Sequence, residues 1–144
     1  MFAPSRDEAR RFFIDTWKNY RDATPLSGLQ TRALQVILLH PEYHATLADP
    51  ERALEQEFGP ESGQLNPFLH LSLHLAVEEQ LAIDQPRGIR ARYAALAAKC
   101  GSEHAAKHGI LECLGETVWQ AQRTGAPPDE GAYLECLDRR LSGA

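Results

Sequence analysis

Apolar residues recur at helical spacing along almost the whole chain, and no segment alternates with the period of two that a half-buried strand would show. Ser5 followed by Glu8 has the spacing of a capping box. Ala9, Phe12, Phe13, Trp17 and Tyr20 then share one face, which predicts a first amphipathic helix of about four turns. The turn residues Thr24, Pro25, Ser27 and Gly28 precede a second helix with Leu29, Ala33, Val36 and Ile37 inside, a face continued by His40, Tyr43, His44 and Leu47. Pro41 interrupts it: the ring removes a donor, crowds the carbonyl of Ile37 and disfavours helical geometry at His40, so the helix kinks or restarts there. Asp49 and Pro50 read as the cap and first-turn proline of a short helix ending near Phe58, and Gly59 to Gln64 as a loop. Asn66 and Pro67 repeat that start signal for a helix to about Asp84, ended by Gln85, Pro86 and Gly88. Between Pro67 and Val77 its polar residues are His70, Ser72 and His74, so this helix should be buried on most sides. An Ala-rich helix over Ile89 to Cys100 stops at Gly101. Ser102 caps a helix to Thr124, and Asp129 starts a last one to about Arg140. The pattern predicts an all-α helical bundle of six or seven helices, a four-helix core with short accessory helices, in a single domain over residues 1–144.

Composition narrows the partners. With 15 basic and 20 acidic residues the net charge is -5, and no Lys/Arg block stands out, which argues against nucleic acid and anionic membrane. The apolar stretches from Ala33 to Leu39 and from Leu65 to Val77 are broken by polar residues and fall short of a bilayer span, so no membrane partner is expected. Met1 to Arg11 is polar and charged, unlike a secretion signal, and a cytoplasmic protein is the expectation. Cys100, Cys113 and Cys136 are odd in number and lack C-x-x-C pairing, which speaks against disulfides and thiolate zinc. The repeated Leu-Glu-Cys-Leu at residues 111–114 and 134–137 reads as coincidence, with its cysteines as small core residues.

The histidines change the picture. All six fall in pairs at i, i+4: His40/His44, His70/His74 and His104/His108. Chance placement gives roughly 0.2 such pairs, so three ask for a cause. At this spacing two imidazoles share a helix face and can grip one ion. Glu78 and Glu112 extend two of the pairs into H-x-x-x-H-x-x-x-E. Such a ladder is too long for one metal, but ladders facing each other across a bundle can enclose two metals bridged by carboxylates. The candidate ligands are therefore His40, His44, His70, His74, Glu78, His104, His108 and Glu112. Imidazole with carboxylate suits iron, manganese or zinc. Burying His70 and His74 among Phe68, Leu69, Leu71, Leu73, Leu75 and Val77 is costly unless each ring has a partner. His40/His44 is the weakest pair because of Pro41, and the register favours Glu78 over Glu79 as the inward carboxylate. The bland alternative is a set of buried polar cross-links, with His40/His44 as a cap and turn.

Two resemblances bear on this. N-P-F-L-H-L-S-L-H-L-A-V-E-E-Q-L from Asn66, D-Q-P-R-G-I-R from Asp84, E-H-A-A-K-H from Glu103 and L-G-E-T-V-W-Q-A-Q-R from Leu114 resemble a bacterial family known as domain of unknown function 1841, over nearly the whole chain. That likeness implies no activity. His74 with Glu78, His104 with His108, and His44 with Asp49 are similar to the H-x-x-x-E, H-x-x-x-H and H-x-x-x-x-D spacings of the hemerythrins. Those are four-helix bundles with a di-iron site, although their order along the chain differs, His70 and Glu112 have no counterpart, and Asp49 already reads as a helix cap. The ferritin-like Glu-x-x-His pair is absent.

The first expectation is a non-haem dinuclear centre of two metal ions, iron first with manganese or zinc as alternatives, that binds, senses or reduces O2, peroxide or NO. Enzymatic activity is left open, since no nucleophile triad or phosphate-cradling loop is present. The alternative is a mononuclear zinc or nickel bundle, or a metal-free protein-interaction module. Haem held by facing histidines ranks last, because it would leave both glutamates unused.

Overall fold

The computed structural model describes residues 6–56 and 66–143. Among them are α1 (Arg6–Arg21), α2 (Gly28–Leu38), a 3-10 turn (Pro41–Tyr43), α3 (His44–Leu47), α4 (Pro50–Glu55), α5 (Pro67–Ile83), α6 (Ile89–Cys100), α7 (Glu103–Thr124) and α8 (Glu130–Ser142). No strand occurs among the described residues, so the fold is all-α as the periodicity requires. Ser5, Phe58 and the loop expected over 59–64 lie outside them.

The start signals act as read. The Asn66 carboxamide oxygen accepts from the Phe68 and Leu69 amides at the head of α5, and Ser27, expected only as a turn residue, forms a reciprocal capping box with Gln30 on α2. Asp49, Ser102 and Asp129 cap α4, α7 and α8 in the same way. Gly101 and Gly125 end α6 and α7 in the left-handed region, where a side chain would be strained.

Contacts divide the chain into two compact units, Met1–Leu75 and Ala76–Ala144, with the boundary inside α5. The first unit packs α1 against α2, α3 and α4. Its core joins Phe13, Ile14 and Trp17 of α1, Ala33, Val36 and Ile37 of α2, Leu47, Ala53, and Phe68, Leu71 and Leu75 of α5. The apolar face of α1 also hides Arg10, which donates to the carbonyls of Ala53 (2.7 Å) and Gln56 (2.8 Å) and so closes the end of α4. In the second unit α6, α7 and α8 pack on one another around Ile89, Leu96, Ala106, Ile110, Leu114 and Leu137. The Tyr133 hydroxyl, buried there, donates to Gln80 at 2.6 Å. The expectation that α5 is enclosed on most sides holds at Leu71, Leu75 and Val77, yet Leu69 and Ile83 are exposed.

The expectation against disulfides is overturned. Cys113 and Cys136 are bonded to each other. The chain turns back between α7 and α8 within five residues, and the packing of the two helices brings Cys113, eleven residues before the end of α7, to Cys136, six residues after the start of α8, so the two Leu-Glu-Cys-Leu segments are tied together. A separation of 23 residues carries no local cue. Cys113 is buried as expected; Cys100 is free and exposed.

Candidate metal centre

Pro41 builds the first ligand. It has no amide hydrogen to give the Ile37 carbonyl, so α2 stops at Leu38 and His40 leaves helical geometry, at φ -127 and ψ 68. At this helix end the Leu39 and His40 amides reach the Val36 and Ile37 carbonyls at 3.1 and 3.0 Å, and two imidazoles share the same oxygens. His40 Nδ1 lies 2.8 Å from the Val36 oxygen, and His44 Nε2 lies 3.0 Å from the Ile37 oxygen. A carbonyl can only accept, so His40 carries its proton on Nδ1 and presents a bare Nε2 lone pair. A backbone carbonyl behind the ring is the usual device for aiming a histidine at a metal.

That lone pair points at α5. His40 Nε2 lies 3.0 Å from Nε2 of His70, and the ring nitrogens of His40, His70 and His74 lie within 4.8 Å of one another. Two nitrogens bound to one ion at about 2.0–2.1 Å, separated by an angle between octahedral and tetrahedral, stand roughly 2.9–3.4 Å apart. The His40–His70 separation falls inside that window. His40 and His74 are 4% and 0% exposed, whereas His70 is half-buried, so the cluster is closed on one side and reachable on the other. The i, i+4 spacing of His70 and His74 brings both to one face of α5, and the break at Pro41 delivers His40 to it.

Tyr43 is the neighbour that sequence reasoning left on a core face. Its ring stacks on His40 at 5.4 Å with an 8° tilt and meets the His70 edge at 5.9 Å. Burial, reinforced by the nearby Glu42 carboxylate, holds its phenol above the ordinary value, so it stands as a neutral hydroxyl. The signal was its place three residues after His40 on a single turn.

The other candidates are used differently. His44 stacks on Trp17 at 4.2 Å with its Nε2 on the Ile37 carbonyl, which makes it a packing histidine of the first unit. In the second unit Glu78 pairs with Lys107 at 2.9 Å, and Lys107 also sits 5.7 Å over the Tyr93 ring. Burial works to lower the Lys107 ammonium, but the hydrogen bond and charge of Glu78 outweigh it and hold the group above its ordinary value. Glu79, the carboxylate expected in solvent, is half-buried as well. Glu112 is exposed and paired with Arg140. His104 is exposed and His108 half-buried on α7, their ring centres 4.2 Å apart. The structure thus brings His40, His70 and His74 together, hands Glu78 and Glu112 to cations, and sets His44 against an indole.

The family model described as a domain of unknown function (DUF1841) matches residues 5–139, and the chain belongs to that family. No curated protein and no solved structure matches it. Among the described residues, no helix is long and apolar enough to cross a membrane.

Proposed function

We propose that this member of the DUF1841 family is a metal-binding protein, holding one divalent ion on the imidazoles of His40, His70 and His74 and keeping a coordination position open to a small ligand. One observation carries the reading. His40 is locked by the Val36 carbonyl into the tautomer that bares Nε2, and that nitrogen meets a second Nε2 at 3.0 Å. The same tautomer lets His40 Nε2 accept from His70 Nε2–H when no ion is present, and an ion would take the place of that proton between the two nitrogens.

Three neutral imidazoles are a borderline donor set that takes Zn2+, Fe2+ or Ni2+, and three protein ligands are the number that leaves a fourth position for water or substrate. The half-buried His70 marks the side from which that position is reached. A two-iron centre working on O2, peroxide or NO is the finer reading of the ladders, and it needs Glu78 and Glu112 as bridges. Lys107 and Arg140 hold those carboxylates here, which favours one ion over two.

The test is titration of the metal-free chain with Co2+ and Zn2+. One ion per chain, a visible cobalt spectrum and a shift of its bands on adding azide are expected. His40→Ala, His70→Ala and His74→Ala should each lower affinity on the order of a hundredfold. Unchanged uptake in all three variants sinks the assignment, and two irons per chain with an azide-sensitive charge-transfer band replaces it with the dinuclear one.

A further inference from the structure

The bridge between α7 and α8 has two unlike ends. Cys113 is 1% exposed, while Cys136 is half-buried and lines an open cavity of about 500 Å3. The same cavity takes in the free thiol of Cys100 at the end of α6. Its charged lining is Lys99, Arg139 and Arg140 against a single carboxylate, Glu116. Lys99 also donates to the Arg140 and Leu141 carbonyls at 2.7 and 3.1 Å, and Arg140 is paired with Glu112. Glu112 offsets the charge of Arg140 and Glu116 lies 3.9 Å from Cys136 Sγ, so Lys99 and Arg139 supply the positive charge that remains at the cavity. A sulfur of a disulfide, an open approach to it and a cationic wall are the parts that thiol–disulfide exchange with an anionic thiol requires.

We propose that this cavity is a thiol-exchange site for anionic low-molecular-weight thiols, with Cys136 as the sulfur attacked. The incoming thiolate forms a bond to Cys136 Sγ as the bond to Cys113 breaks. The electron pair leaves on Cys113 Sγ, which takes a proton, so Cys136 carries the mixed disulfide. A second thiolate attacks the outer sulfur of that adduct, yields the low-molecular-weight disulfide and leaves Cys136 as a thiol. Two thiols lose two electrons and the protein bridge gains them. The carboxylates of the thiol lie against Lys99 and Arg139 during the first step, and opening the bridge removes the covalent tie between α7 and α8. Direction of attack follows from access: the enclosed Cys113 is the leaving group and the cavity-lining Cys136 the target.

The test uses the full chain carrying Cys100→Ser, so that the bridge alone reports. Oxidised protein is mixed with glutathione, a net anionic thiol, or with cysteamine, a cationic one, at equal thiolate concentration. Samples are quenched with acid and a maleimide, and peptide masses locate the adducts. The expected result is glutathione on Cys136 with maleimide on Cys113, formed roughly tenfold faster than the cysteamine adduct. Arg139→Glu should bring the two rates toward parity. Adducts on Cys113, equal rates for the two thiols, or a preference untouched by Arg139→Glu overturns the proposal. If the purified chain holds both cysteines as thiols, oxidised glutathione should close the bridge through an adduct on Cys136, and a bridge that never closes overturns it as well.

Discussion

An imidazole can bind an ion only through a nitrogen that carries no proton, and in neutral histidine the partner of the other nitrogen decides which one that is. At His40 the decision is made beside a proline one residue later, which breaks the helix, so that the Val36 and Ile37 carbonyls, each accepting one backbone amide from Leu39 or His40, also take a ring nitrogen. The i, i+4 spacing of the six histidines is plain in the sequence, yet Pro41 makes His40/His44 look like the weakest pair. The break turns the His40 ring toward His70, while His44 goes to Trp17. Spacing says that two rings share a face, and tertiary packing says what the face meets. In the metal-free protein His40 should be the Nδ1–H tautomer, and long-range nitrogen–proton correlation spectra read this directly. A proton on Nε2 of His40 would remove the basis for the ligand assignment. His74, fully enclosed with its ring centre 5.3 Å from that of His40, has the opposite cost and benefit. A buried polar ring adds little to stability compared with an apolar one of similar size. His74→Leu should therefore melt within a few degrees of the wild type without metal, or above it, while losing the rise in melting temperature that metal gives the wild type. A variant that still gains stability from Zn2+ would show that His74 is packing alone.

The helices themselves were legible because caps and stops are local. Asp49, Asn66, Ser102 and Asp129 each accept the amide that their position demands, and the sequence shows all of them. The tie between α7 and α8 was not legible, since it depends on a hairpin closing over 23 residues. In the chain-entropy view a loop of that length makes the bridge worth on the order of 3 kcal/mol. The other links of α8 are exposed ion pairs such as Arg92–Asp138, which are worth little, and the side chains of Tyr133 and Leu137. Cys136→Ser should lower the unfolding free energy of oxidised protein by about that amount, measured by urea titration, and leave reduced protein almost unchanged. Equal loss in both redox states would mean that the bridge contributes nothing. The turn from α5 to α6 makes a separate prediction. Asp84, with φ +53, accepts from the Arg90 and Gly88 amides. The hydrogen bond from the Arg90 amide, helped by that from Gly88 and by the charges of Arg90 and Arg87, holds its carboxyl below the ordinary value. A carboxylate lowered in the folded state stabilises it above the unfolded value of about 3.9, and that contribution disappears as pH falls through the folded value. Asn tolerates the left-handed backbone and keeps an accepting oxygen. Asp84→Asn, which keeps that oxygen but not the charge, should thus be less stable than the wild type at pH 7, and the difference should shrink as pH falls below about 4. An acid slope identical to the wild type's would leave Asp84 with no part in it; Asp138, lowered by its hydrogen bond to Arg92, acts in the same direction.

For the whole chain, the all-α class and the family were both within reach of the sequence, because periodicity is repeated in every segment and the family motifs span most of the length. The partners of Glu78 and Glu112 were not, because Lys107 and Arg140 are brought to them by packing that no spacing encodes. That difference separates two-metal from one-metal chemistry, and it has a thermodynamic consequence. The ligands proposed for one ion come from two segments of the first unit, the end of α2 and the start of α5, thirty residues apart at His40 and His70. An ion bound to both closes that loop in the folded state alone, so its binding free energy adds to folding free energy. With free Zn2+ at about 100 times its dissociation constant the gain is about 2.7 kcal/mol. For a chain of this size that is a rise in melting temperature of roughly 5–15 °C. Chelator should return the melting temperature to its metal-free value, and the rise should grow with the logarithm of the free metal concentration. In hydrogen exchange, the added protection against local opening should concentrate on the amides of Val36 to His40 and His70 to Leu75, where the ligands sit. A melting temperature indifferent to Zn2+, Fe2+ and Ni2+ alike would leave His40, His70 and His74 with a purely structural part. A rise with no protection at those amides would place the ion elsewhere.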